Sequence, residues 1–489
     1  MARTPLLRQL VELSSIHAEA EQRRLTPTAV REERAEARSR TTPNLSRREF
    51  LAGSAAAGAA LALGALRPTI ARAAAPARIA IVGGGISGLS AALTLADAGI
   101  GSTVFEASAR VGGRMHSDAT GFLDAKGHWT DGQTSEWCGE LIDSGHKTIL
   151  MLAQRFRLAT VDLLAAQPNS SEDTYFFDGS YYPANQADID FQPVHQALQG
   201  DVQAASYPTT YLINTPAGIA LDHMSAYDWI ESRVPGGHHS LMGQLLDVAY
   251  NIEYGAETTD QSALNLVYLL GYGAKPGNFA VFGKSDERYH IVGGNERLPA
   301  TIAASLPAGS VKLNQRMQAI VANRDGSVTL TLSTPGGVVS QTFDRVILTL
   351  PFAVLRTLNY KRAGFDDLKV TAITQMGTGR NDKLQLQFDH RIWDSTGLWP
   401  GIGNGNSYAD TGYQNTWEVS RGQPGTSGIL VEYTGGNVAG SFAISPPYSD
   451  AATNPAVATY AQAFLKQIEP VYPGLSARWN GKATLSVPA

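Results

Sequence analysis

The apolar pattern is sharpest just past residue 78. Ile79-Ala80-Ile81-Val82 is an unbroken apolar run of strand type. Gly83-Gly84-Gly85-Ile86-Ser87-Gly88 follows at once, and Leu89 to Ala96 then places apolar residues at helical spacing. Ser102 to Phe105 reads as a second strand that ends at Glu106. Farther along, Met224 to Val234 predicts an amphipathic helix opened by Ser225, and Leu241 to Ile252 and Gln261 to Tyr272 predict two more. Val311 to Ile320, Ser327 to Leu332 and Val346 to Leu350 read as strands, the last closed by Pro351. The alternating stretch Asn381 to Phe388 reads as another and carries Lys383. Phe176-Phe177 and Tyr181-Tyr182 are aromatic pairs of the kind that most often fill a core.

The first of these segments has the order strand, glycine turn, helix, strand, acid, and each part has a physical reason. Gly83 permits the tight turn, Gly85 lets backbone approach a pyrophosphate, and Gly88 lets helix and strand pack closely. Ser87 lies at the helix N-terminus, whose unpaired N–H groups and positive dipole end suit phosphate. Glu106 is placed to accept hydrogen bonds from a ribose diol. A glycine turn alone is weak evidence, but the full context predicts a dinucleotide site.

The residues that follow choose the dinucleotide. Glu106-Ala107-Ser108-Ala109-Arg110-Val111-Gly112-Gly113-Arg114 resembles the E-A-x-x-R-x-G-G-R extension of the flavin amine oxidase family. The resemblance implies FAD, with Arg110 and Arg114 toward the pyrophosphate and Ala107 and Gly113 in the same wall. Cys138-Gly139-Glu140-Leu141-Ile142 is similar to the family's G-G-x-x-I run beside the flavin, with Cys138 in place of the first glycine and Gly139 and Glu140 as implied cofactor contacts. Tyr289 to Leu298 resembles the glycine pair before a family helix, and backbone near Met317 would pair with adenine, with Pro351 closing the unit. Lys383 resembles the family lysine that holds a water against the flavin, where a lysine can position a proton-relaying water or dioxygen.

The implied fold is α/β: a Rossmann-like FAD-binding domain, a mixed sheet with helices, joined to an α+β substrate domain with a helical insertion. The corresponding division is an extension and signal at 1–73, FAD-binding segments at 74–145 and 293–355, a helical substrate region at 146–292, and a further substrate segment at 356–489. The implied activity is oxidation of a primary or secondary amine, or alternatively an L-amino acid, with dioxygen reduced to hydrogen peroxide. The family normally continues beyond a point like Ala489. The reading therefore expects an incomplete substrate domain with unpaired core edges, and leaves open a homodimer, a completing C-terminal polypeptide, or an inactive flavin-binding fragment. A flavin desaturase of apolar substrates is a third alternative, against which Lys383 speaks. Glu140 is also a candidate to meet a cationic amine, or a structural cap.

Charge and cysteine content narrow the partners. Residues 1–73 hold twelve Lys and Arg against seven Asp and Glu, and the remainder 27 against 37, so an acidic body of net −10 follows a basic head of +5. An acidic body without a basic, aromatic-rich stripe excludes a nucleic-acid partner. The single cysteine, Cys138, excludes internal disulfides, and no Cys/His cluster suggests a metal. His238-His239, flanked by Gly236-Gly237, reads as a loop. Ser46-Arg47-Arg48-Glu49-Phe50-Leu51, an uncharged stretch to Leu66 and Ala71-Arg72-Ala73 form a twin-arginine export signal with a cleavage site, too short and weakly apolar for a membrane span. Export by that route places the protein in the periplasm or outside the cell.

Overall fold

The computed structural model describes residues 77–118, 127–273 and 275–488. The export signal and the basic head lie outside these residues. The described chain belongs to one compact unit, Pro76–Ala489.

The expected strand–turn–helix–strand unit is present. We label its parts β1 (Ile79–Val82), α1 (Ile86–Asp97) and β2 (Thr103–Phe105). β1 and β2 pair in parallel, Arg345–Leu348 adds to the other side of β1, and Val311–Lys312 adds beyond β2. This parallel sheet is covered on both faces, which is why β1 is apolar at every position rather than alternating. On one face Ile81 and Val104 pack on Leu89, Ala92 and Leu93 of α1 and on Leu298 and Ile302 of the helix Arg297–Ser305. On the other, Ala80, Val82 and Phe105 meet Met317, Ile320, Leu330 and Leu332 of a second sheet, ordered Gly337–Phe343, Val328–Thr334, Arg316–Ala322 and Asn359–Arg362.

One expectation fails here for a local reason. Val311 to Ile320 is not a single strand. It divides into Val311–Lys312 and Arg316–Ala322, which join different sheets. Asn314 takes φ +56° between them, a left-handed conformation that Asn tolerates better than most residues and that turns the chain. The strand Gly337–Phe343 was not among the expected elements; six of its seven residues are exposed or half-buried, so it lacks the apolar signal.

A third sheet has eight strands, ordered Tyr448–Asp450, Trp479–Ser486, Asn381–Phe388, Gly428–Gly435, Asn415–Glu418, Ser407–Ala409, Thr174–Phe177 and Ser180–Tyr182. Trp479–Ser486 is paired on both sides, so it is no exposed edge. The three helices read from sequence are observed as Ala226–Arg233, Leu241–Tyr254 and Ala263–Gly271, each opened by a serine cap: Ser225, Ser240 and Ser262. With the long helix Ala184–Ala205 they enclose a core that includes Trp229, Tyr250 and Leu266 and abuts Tyr175, Phe177 and Tyr182 of the large sheet. The aromatic pairs are thus core, and His238-His239 sits in a short 3-10 turn with His238 stacked on Tyr227.

A buried carboxylate ties these parts together where the chain passes between them. Glu136 is fully buried in the hairpin Ser117–Asp118/Ser135–Glu136. Its Oε1 accepts from the Asn295 backbone N–H at 2.7 Å and lies 2.8 Å from His290 Nε2, while its Oε2 accepts from Ser117 Oγ at 2.7 Å. Burial drives the His290 ring toward neutrality, but the Glu136 hydrogen bond and charge outweigh that and raise its pKa.

Two stability predictions follow from this packing. A Cβ at Gly88 would collide with the Gly83 carbonyl oxygen, whereas one at Gly145 meets nothing within 4 Å. Gly88→Ala is expected to cost about 1–3 kcal/mol, against less than about 0.5 for Gly145→Ala, in chemical denaturation. Glu136→Ala leaves Ser117, Asn295 and His290 without their acceptor. It is expected to cost roughly 3–5 kcal/mol, with the loss smaller above the raised His290 pKa, where the ring is neutral. Equal destabilisation at acid and alkaline pH would contradict the charged pairing.

Candidate active site

The glycine turn is built to receive an anionic ligand. Gly83 takes φ +109°, and its N–H bonds the Phe105 carbonyl at 2.9 Å, locking the turn to the end of β2. Gly85 is extended just ahead of α1, and a Cβ there would meet nothing closer than 3.9 Å. The close packing is therefore at Gly88, while Gly85 leaves open space beside the backbone. No side chain caps α1, so the N–H groups around Ile86 and Ser87 face outward with the helix dipole behind them. Glu106 Oε2 accepts from Gly84 N–H at 2.6 Å and Oε1 from Ser108 N–H at 2.8 Å, fixing the carboxylate at the strand end.

The second glycine turn leans on the first. Gly112 N–H bonds the Gly84 carbonyl at 2.9 Å, and Gly112 and Gly113 take φ +107° and +58°. Arg110 braces that turn, donating to the Gly113 carbonyl at 2.7 Å and the Val111 carbonyl at 3.1 Å. Ala107 and Arg114 are exposed on the same rim. Met317 is buried beside Phe105, and Pro351 follows the end of Arg345–Leu348, where Thr349 Oγ1 bonds the Val82 carbonyl at 2.9 Å. The expected residues from Gly83 to Arg114 thus gather with Met317 and Pro351 around the carboxyl ends of the parallel strands, the place where open α/β sheets bind ligands.

A backbone bridge leads from this groove to the lysine. Gly139 N–H bonds the Arg114 carbonyl at 3.0 Å, and the next residue is Glu140. Glu140 Oε2 lies 2.8 Å from Lys383 Nζ, and Oε1 accepts from Trp417 Nε1 at 3.0 Å. The Lys383 ammonium also stands 5.0 Å from the centre of the Trp417 ring. The side chains of Lys383 and Glu140 are 7% and 4% exposed, so this is a buried ion pair rather than the solvated lysine that a strand position usually gives. Burial pushes the Glu140 carboxyl up, but Lys383, His290 and the two hydrogen bonds outweigh it and hold the carboxyl below its usual range. The strand Asn381–Phe388 is buried along almost its whole length because segment 129–141 covers the Lys383 face and the helix Pro455–Ile468 covers the other.

The same face carries two buried atoms with no protein partner, Gln385 Oε1 and Thr484 Oγ1, on residues paired across adjacent strands. Their need for a partner, with the open space at Gly85 and the uncapped helix, fits a long polar cofactor lying from the glycine turn toward Lys383. Beside the Gly139 loop opens a cleft of about 460 Å³ lined in part by His116, His128, Trp137, Tyr448 and Asp450. Burial and the nearby Arg110 pull the His116 pKa to about 3, so this ring is neutral. Cys138, in the family's glycine position, lies with Sγ 3.6 Å from Tyr448 Oη, and burial raises its thiol pKa. Among the described residues no group of three or more His, Cys, Asp and Glu is arranged to hold a metal ion, and no helix is long and apolar enough to cross a membrane.

Sequence reasoning did not single out Glu136, His290, Asn295 or Trp417. Glu136 carries only a faint signal, an acid two residues before Cys138-Gly139. Trp417 carries none, since its contact with Glu140 crosses 277 positions.

Comparison with known proteins agrees with this geometry. The profile of flavin containing amine oxidoreductases matches residues 86–480, and that of the twin-arginine translocation pathway signal sequence matches residues 44–64. A putrescine oxidase of Kocuria rosea is 27% identical over 353 residues, 69% of this chain and 70% of that protein. An L-amino-acid oxidase of Pseudechis australis is 23% identical over 378 residues, 73% of this chain and 66% of that one. Among solved structures, putrescine oxidase bound to putrescine matches with a TM-score of 0.65 at 17% identity, covering 84% of each chain. Cyclohexylamine oxidase from Brevibacterium oxydans matches at 0.66 and 17%, covering 85% and 88%. The signal marks the protein for twin-arginine export, and the chain belongs to the flavin-containing amine oxidoreductase family of FAD-dependent enzymes.

Proposed function

We propose that the protein oxidises a primary or secondary amine to an imine, with dioxygen as the final acceptor. The observation that carries this reading is the buried Lys383–Glu140 pair, one residue from Gly139, whose N–H is bonded to the Arg114 end of the dinucleotide groove. In this reading Lys383 stands beside the reacting end of the cofactor and Glu106 beside its ribose. The chemistry that FAD supplies when bound is to accept a hydride and return two electrons to dioxygen.

The chain's own residues divide the task of holding that group. The Gly83–Gly88 turn and the N-terminus of α1 would take the pyrophosphate, with Ser87, Arg110, Gly113 and Arg114 in its wall. Glu106 and Ala107 would meet the ribose, backbone at Met317 the adenine, and Gly139 and Pro351 would line the path. Lys383 would hold a water or dioxygen at the reacting edge by donating hydrogen bonds. The substrate loses the hydrogen beside an uncharged nitrogen as hydride, and the nitrogen lone pair closes the C=N bond. Water then hydrolyses the imine to a carbonyl compound and ammonia or an amine, while dioxygen leaves as hydrogen peroxide. Amines come first because a putrescine oxidase and polyamine oxidases are among the similar proteins. L-amino acids are the alternative, since L-amino-acid oxidases are similar as well.

Three outcomes test the proposal. The purified chain should be yellow, and peroxide should appear with amines in a screen that includes diamines, cyclic amines and L-amino acids. Flavin binding without peroxide from any of them would refute the oxidase reading, and peroxide from L-amino acids alone would favour the alternative. Gly85→Ala should leave the thermal melting of the FAD-free chain unchanged while weakening FAD binding at least tenfold by fluorescence titration. Lys383→Met should lower turnover by about 100-fold.

A further inference from the structure

We infer that Glu140 is a positioning residue for Lys383 and not the anchor of a substrate ammonium. The inference rests on the reading of Lys383 given above. An acid beside the reacting end of an amine oxidase invites the anchor role, but the geometry removes it. Both carboxylate oxygens are already used: Oε2 by Lys383 Nζ at 2.8 Å and Oε1 by Trp417 Nε1 at 3.0 Å. The Glu140 side chain is 4% exposed, so no approach is open to a substrate cation without breaking one of these bonds. A buried carboxylate that lost its lysine would leave an unpaired charge, a costly state.

The clamp fixes Lys383 in three ways. Glu140 supplies the counter-charge, the Trp417 ring lies under the ammonium, and the Glu140 backbone is held by Asn295 Nδ2, which donates to its carbonyl at 2.6 Å. The Glu136 network thereby reaches the lysine, because Asn295 N–H is bound to Glu136. The other titratable groups around the pair are Cys138 on the same loop, Glu136 and His290 from the adjoining hairpin and strand, and Tyr433, which pairs with Lys383 across the sheet and stacks edgewise on Trp417. None of these makes an ion pair with Lys383, which is paired with Glu140. Glu140 fixes the direction of the Lys383 side chain, so the lysine acts by oriented hydrogen bonds.

The test uses the FAD-loaded protein and three variants, Glu140→Gln, Trp417→Phe and Lys383→Met. Glu140→Gln keeps the shape and an acceptor oxygen but removes the charge. The expected result is a KM for amine within about twofold of the parent and a kcat lower by about tenfold. The visible spectrum of bound FAD, recorded without substrate, should also differ from the parent's, because Lys383 has lost its fixed direction. Trp417→Phe keeps the Glu140 charge but removes the indole donor that holds its carboxylate, so it should give a smaller loss of kcat, and it supplies the answer if Glu140→Gln does not retain FAD. A raised KM with unchanged kcat in Glu140→Gln would overturn the inference and restore the anchor role. Parent-like kcat and flavin spectrum in Glu140→Gln alongside an impaired Lys383→Met would overturn it while sparing the role of Lys383. A fully active Lys383→Met would overturn both.

Discussion

Glu136 is a carboxylate with no exposure to water, and a buried charge is tolerated only when its oxygens are filled. Three partners fill them, Ser117, Asn295 and His290, from stretches of chain more than 150 positions apart. Satisfying that one group brings the hairpin after the glycine-rich groove against the strand and turn at 289–295. It also determines where the next residues go. Trp137 through Glu140 leave the same hairpin, and Gly139 then finds the Arg114 carbonyl while Glu140 finds Lys383. The groove and the lysine belong to sheets that share no strand, and this short loop joins them.

The loop also explains why so much polarity is buried beside the large sheet. Lys383, Gln385 and Gln387 alternate along one face of their strand, a pattern that on an open sheet would face water. Here they meet segment 129–141, where Gln385 donates to the Glu136 carbonyl and Gln387 to Gln133. An apolar face would pack as well but would offer nothing to a polar cofactor or to a reacting nitrogen. The polar atoms left without protein partners, Gln385 Oε1 and Thr484 Oγ1, lie on that face. The rest of the chain is conventional by comparison: α1 on the parallel sheet, and helices closing an apolar core over the far end of the eight-stranded sheet.

Local signals were legible wherever periodicity and backbone chemistry agree. The helix at 226–233 was visible because Ser225 caps it and its apolar positions repeat, and β1 because every residue is apolar. The single strand expected at 311–320 failed because Asn314 turns the chain partway along it, and periodicity does not register one residue in a left-handed conformation. Gly337–Phe343 was silent because its side chains face solvent. In the candidate site, the glycine turns, the helix start and the strand-end acid between Gly83 and Gly113 were legible as local structure because they lie within one contiguous stretch and each answers to a backbone requirement.

The sequence alone determined the parts whose physics is local. Glycines that must turn or approach closely, an uncapped helix start, an acid at a strand end and a twin-arginine leader all act within a few residues, so order along the chain suffices to read them. Tertiary structure decided the electrostatics around Lys383. That Lys383 is buried, that Glu140 is its counter-ion, and that Trp417 and Asn295 hold the pair are consequences of contacts spanning from 155 to 277 positions. A charged side chain carries no mark in sequence of whether it will be solvated or paired. Only the fold, by excluding water from that face and supplying one opposite charge, makes the choice.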